Sequence, residues 1–166
     1  TIGQPRGRIE FRGKDMAVNS MPLGNMMASI SADGRQVRAQ HFEITNGSDL
    51  LRLQGNYDVQ QHALQNARFE IKIAEVKRYL DAWTVLPYDI QGDIQGIITA
   101  DGPLTTPSGN LTASSRRLQG DNTQLSDLLL KMKSRNGELH IETANVKMME
   151  TRLALSGSLR TNPGFE

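Results

Sequence analysis

Strict alternation of apolar and polar residues constrains this chain more than any other feature. Ile9 and Phe11 take turns with Arg8, Glu10 and Arg12. The same period of two runs through Met26, Ala28 and Ile30, through Leu51 and Leu53, and through Phe69, Ile71 and Ile73. It resumes in Ile90, Ile94 and Ile98, in Leu111 with Ala113, in Leu128, Leu130 and Met132, in Leu139 with Ile141, and in Leu153 with Leu155. Such a period places every second side chain on one face of a β-strand. Asp33-Gly34, Asn46-Gly47, Asp101-Gly102 and Asn136-Gly137 punctuate the segments, and these dipeptides accept the positive φ of tight hairpin turns. The expectation is an all-β chain, mainly an antiparallel meander. The run TQLSDLLLKMKS admits a short helix capped by Ser126, but its alternation favours a strand.

One stretch breaks the period. In IAEVKRYLDAW the apolar residues Val76, Tyr79, Leu80 and Trp83 fall at i, i+3, i+4 and i+7, one stripe of a short amphipathic helix. Pro87 and the glycines after it return the chain to sheet. Trp83, the single tryptophan, reads as a hydrophobic plug packed on that sheet.

The frame P-x-G-N-x-x-A-S occurs twice, from Pro22 and from Pro107, and each copy is followed by an L-x-L strand ending near Gly, at Leu51 and at Leu153. This reads as internal repetition. The spacing (153 − 51) − (107 − 22) leaves the second unit 17 residues longer, about one hairpin or short helix. The expected organisation is a single segment, 1–166, of a longer chain, with units near 20–60 and 105–160 joined by a helix-containing section, 61–104.

Nineteen Lys and Arg against 18 Asp and Glu give a net charge of +1, no field to gather phosphates along a duplex, so nucleic acid is not expected as a partner. Absence of cysteine excludes disulfides and thiolate chemistry. No apolar run approaches the roughly 18 residues of a membrane-spanning helix. Beginning at Thr1 and stopping after TNPGF, the chain reads as an excised piece whose targeting and anchoring signals lie outside it. His41, His62 and His140 lack metal-ligand spacing, and no nucleophile elbow, Walker loop or dinucleotide fingerprint occurs. His140, in LHIE, belongs to the polar face of its strand. The chain is expected to be no enzyme, with no cofactor and no metal.

The run AEVKRYLDAW through LPYDIQGDIQGIITADGPLTTPSGNLTASSRRL resembles the periplasmic proteins of the TamB and AsmA superfamily, where a short helix precedes G-x-I/L-x-G strands. A G-x-L-x-x-P-x-G-x-L-x-A phrase typical of that family stands at Gly102, Leu104, Pro107, Gly109, Leu111 and Ala113, and LALSGSL at Leu153 to Leu159 is similar to its unit-ending strands. The likeness is clearest over 67–160 and fainter over 20–60. It implies a curved, groove-like sheet (a β-taco) in the periplasm of a Gram-negative envelope. The parent chain would be anchored in the inner membrane outside this segment. Its implied work is carrying phospholipid acyl chains between the inner and outer membranes, and supporting outer-membrane protein assembly with a TamA-type barrel protein and its clients.

The same alternation also suits a closed β-sandwich or barrel. Aromatics are only 5% of the chain while aliphatics and seven Met dominate the stripes, and repetition favours an extensible trough. On the groove reading the inward, lipid-facing residues are Ile9, Phe11, Met26, Ile30, Leu51, Leu53, Phe69, Ile71, Ile94, Ile98, Leu111, Leu130, Leu139, Ile141, Leu153 and Leu155. Two other functions fit the pattern: a chaperone-like scaffold that pairs client strands at an open sheet edge, and an extracellular binding domain, which eight aromatic residues serve poorly.

Overall fold

A computed structural model describes residues 6–18, 21–83, 89–120 and 123–160. The strands are β1 (Arg6–Val18), β2 (Met21–Asp33), β3 (Gln36–Asn46), β4 (Asp49–Asp58) and β5 (Ala63–Ile73). After the helix α1 (Lys77–Trp83) come β6 (Ile90–Gly92), β7 (Ile94–Pro103), β8 (Ser108–Gly120), β9 (Thr123–Arg135), β10 (Glu138–Met148) and β11 (Thr151–Arg160). They form one antiparallel sheet in the order β1-β2-β3-β4-β5-β7-β8-β9-β10-β11, with β6 paired to β8. Sequence order and spatial order coincide because each strand on this path follows its neighbour within a few residues, β7 after the helical section excepted. β1 and β11 are unpaired edges, so the sheet is open and neither a barrel nor a sandwich.

Among the described residues nothing forms a second layer over this sheet. Strands pack only against their hydrogen-bonded neighbours, and α1 packs against β6. The buried apolar residues are Met21, Ala63 and Val76, all at element ends and none in the middle of the sheet. The accessible surface is 11,782 Å², whereas a compact monomer of this mass exposes about 8,200 Å².

Ladder irregularities interrupt most strand pairs, and they bend the sheet. Gln40 is the extra residue of β3, since Ser29 pairs with His41 but Ile30 with Ala39. In β5 the extra residue is Asn66, at φ 51 between the Leu64 and Ala67 pairings. Between them Gly55, at φ 145, lies where a Cβ would meet the Ala67 Cα at 2.6 Å, so only glycine fits. These irregularities lie side by side on β3, β4 and β5, and all three strands are bent at one level.

The helix forms at one end of the sheet, where β5 stops. Val76 N–H donates to the Gly92 carbonyl at 2.8 Å, and Glu75 accepts the Gly92 N–H at 2.9 Å. Gly92 itself is held at φ 122 within 2.0 Å, Cβ to oxygen, of the Arg117 carbonyl, which excludes any side chain. Asp49, 5% exposed, accepts from Ala74 N–H, the Arg78 guanidinium and the Tyr79 hydroxyl, fastening α1 to the start of β4. Val76 is buried and Tyr79 and Leu80 are half-buried, while the Trp83 side chain and Pro87 lie outside the described residues.

Three sequence readings meet the structure as follows. Asp101-Gly102 is not a hairpin turn: β7 runs through it to Pro103, and the reversal comes at 104–107. TQLSDLLLKMKS is strand, as β9. The two P-x-G-N frames open β2 and β8, which run in opposite directions, yet both put Gly and Ala on one face and Asn and Ser on the other.

Candidate functional site

Residues directly opposed in an antiparallel ladder share a face, so register alone traces each row across the sheet. One row runs Phe11, Ala28, Phe42, Leu53, Phe69, Ile98, Leu111, Met132 and Ile141. Beside it runs Met26, Ile44, Leu51, Ile71, Gly96, Ala113, Leu130, Ala144 and Leu155. On its other side lie Ile9, Ile30, Ala39, Gly55, Ala100, Gly109, Ser134 and Leu139. Ile94 pairs with Ile73 and Leu153 with Val146, in line with these rows. All sixteen candidate residues therefore stand on the same face.

Register adds residues that the candidate set lacks. Phe42 and Ile44 of β3 stand in the two middle rows, Met132 completes the first of these, Leu159 continues the third row opposite Leu139, and Val146 stands opposite Leu153. The extra residue Gln40 hid β3, because its two halves, Val37 with Ala39 and Phe42 with Ile44, alternate out of phase by one. A phase slip inside a strand-like run is the signal that would have found it.

This face is apolar and uncovered. At the edges Ile9 is 67% and Leu155 62% exposed; in the middle, where neighbours flank both sides, Leu53 and Ile98 still show 38% and 40%. The third row is small in its middle, Ala39 through Gly109, so it lies lower than the Phe42-to-Met132 row. Over β7 to β10 the surface sinks into a depression of about 180 Å³ lined by Ile98, Leu111, Met132 and Leu139 with Pro107 and Gly109. Across the nine steps between neighbouring strands the face extends about 43 Å, at roughly 4.8 Å per step.

The opposite face is polar. Arg52 donates to Glu43 at 2.7 and 2.9 Å and lies 3.7 Å from Glu70, which also faces Arg68 at 3.8 Å. His140 pairs with Lys133 on this polar face. Ser115 interrupts the apolar side: its hydroxyl is buried without a hydrogen-bond partner beside Leu128. Among the described residues no group of three or more His, Asp or Glu is placed to hold a metal ion. No described helix is long and apolar enough to cross a membrane.

The fold and this face define a class: a single-layer, open antiparallel sheet with one polar and one uncovered apolar side. No protein-family model, curated protein or solved structure matches the chain.

Proposed function

We propose that this chain is a segment of a lipid-carrying β-groove, of the kind the TamB and AsmA resemblance implies. It works without catalysis or cofactor in the periplasm, as part of a longer protein anchored in the inner membrane. Phospholipid acyl chains lie along the apolar face and pass between the inner and outer membranes. A TamA-type barrel protein and its outer-membrane clients are the protein partners.

One observation carries this reading: the apolar face continues across ten strands with no layer of described residues over it. Water against so much hydrocarbon is costly, and each methylene of an acyl chain laid there contributes about 0.8 kcal/mol. Ile98→Asp puts a carboxylate among the chains with no partner to offset its desolvation. The test is native mass spectrometry of the purified chain with lipid analysis of what travels with it. Bound phospholipid, lost in Ile98→Asp and Leu155→Asp variants of unchanged circular dichroism, supports carriage; equal lipid in the variants, or no lipid uptake by the parent, refutes it.

The edge-pairing reading has its own observation. Every residue of β11 is exposed, and it contains neither Pro nor Lys to discourage an added strand. Proline substitution along β11 that abolishes client binding while lipid stays bound would separate the two activities.

A further inference from the structure

We infer that the polar face beside the β9–β10 turn holds the phosphate of the phospholipid whose chains lie on the apolar face, an inference that rests on the groove reading. The starting point is how the cations of the sheet are paired. Arg8 faces Glu10, Arg38 faces Asp33, Arg52 faces Glu43 and Glu70, Arg68 faces Glu70, Arg116 faces Asp93 and Arg160 faces Glu138, whereas Arg12, Lys14 and Lys72 have no ion-pair partner among the described residues. On β9, Lys131, Lys133 and Arg135 follow one another at every second position on the polar face, and none has an ion-pair partner among the described residues. Lys131 stands opposite Thr112 on β8 and Thr143 on β10, Lys133 opposite Asn110 and His140, and Arg135 opposite Glu138 on β10.

Three carboxylates are nearby: Glu142 adjoins Thr143, the partner of Lys131, and the other two are already engaged. Glu138 accepts from Arg160 and lies 3.4 Å from His140, and Asp101 accepts the Asn66 N–H. Two depressions, of about 280 and 270 Å³, flank the Lys133 and Arg135 side chains and share both of them. Thr99, Ser108 and Asn110 supply hydroxyl and amide groups to the first, which the Asn66-bound Asp101 also lines, and the Arg160-bound Glu138 lines the second. A guanidinium fork, an ammonium and neutral donors together match the oxygens of a phosphate.

What selects a lipid phosphate is the other side of the sheet. The larger depression and the apolar one on the groove face share Ser108, Gly109 and Ser134, close to the ends of these strands. Arg135 is the last residue of β9, so positive charge and hydrocarbon wall meet at one rim. An amphiphile with its phosphate one glycerol from its chains spans such a rim, whereas a free phosphate uses only half of it. Because the whole chain carries a net charge of only +1, the attraction is local and suits one compact anion better than an extended anionic surface.

The experiment measures retention of two short-chain probes with identical acyl chains, dilauroyl phosphatidylglycerol and dilauroylglycerol, by the full chain and by a Lys133→Glu, Arg135→Glu double variant. A Lys133→Gln, Arg135→Gln variant guards against charge reversal disturbing the fold, and circular dichroism checks all three. The expected result is about tenfold tighter retention of the phosphate-bearing probe, lost in both variants while dilauroylglycerol is unaffected. Equal retention of the two probes, or variants that keep the preference, overturns the phosphate site and leaves the groove reading standing. Retention of neither probe overturns both. Inorganic phosphate that binds at these residues at the affinity of the lipid assigns the site to free phosphate and overturns the lipid source.

Discussion

At the scale of residues, carboxylates set the ends of this sheet. Asp58 is fully buried and accepts the N–H groups of Gln60 and Gln61 and the Arg35 Nε, all at 3.0 Å, closing the turn from β4 to β5. The Gln61 N–H foremost, with the Arg35 guanidinium and the Gln60 N–H, holds its carboxyl below the ordinary value despite burial. A carboxyl depressed in the folded state contributes stability above its unfolded value of about 3.9 and loses it as pH falls through the lower folded value. Urea unfolding should therefore show a decline in stability below about pH 4 that is shallower in Asp58→Asn, which is already weaker at neutral pH. Asp49→Ala, which strips three partners from the α1 clasp, should cost about 2–3 kcal/mol in the same measurement. The α1 clasp was not legible beforehand, because Asp49 and Tyr79 are 30 residues apart.

At the scale of elements, the bulges decide which side chains reach the apolar face. Leu64 occupies an even position and Ala67, Phe69 and Ile71 odd ones, yet the left-handed Asn66 lets all four share that face. Asn tolerates this conformation through its short polar side chain, and a β-branched residue does not. Asn66→Val should lower stability by about 1–2 kcal/mol while Asn66→Gly leaves it nearly unchanged, read from denaturant midpoints. The alternating strands β1, β2, β7 and β8 were legible because their apolar stretches keep one phase. β3 was not, since Gln40 resets the phase halfway and each remaining half is too short to signal a strand.

At the scale of the whole molecule, the excess surface is the consequence of a one-layer fold. A fold whose described residues include only three buried apolar side chains has little internal stabilisation to offset its chain entropy. An amphiphile bound to the apolar face should then raise thermal stability substantially. At a hundredfold excess over its dissociation constant the gain is about 2.7 kcal/mol, or roughly 5–10 °C in Tm for a chain of this length. A calorimetric Tm that ignores dilauroyl phosphatidylglycerol, or an Ile98→Asp variant that responds as the parent does, would contradict occupancy of that face.

The sequence by itself determined that the chain is strands with two unlike faces joined in order by tight turns, because period-two patterning and turn chemistry are local properties. It also carried the membership of the apolar face for sixteen residues, since alternation fixes a face wherever the phase is unbroken. Only the tertiary structure decided that the sheet stays open, that bulges bring out-of-phase halves into one row, and that the three β9 cations form no ion pair among the described residues. Closure, phase and ion pairing all depend on which distant strands become neighbours, and period-two patterning is identical in an open sheet and a closed one.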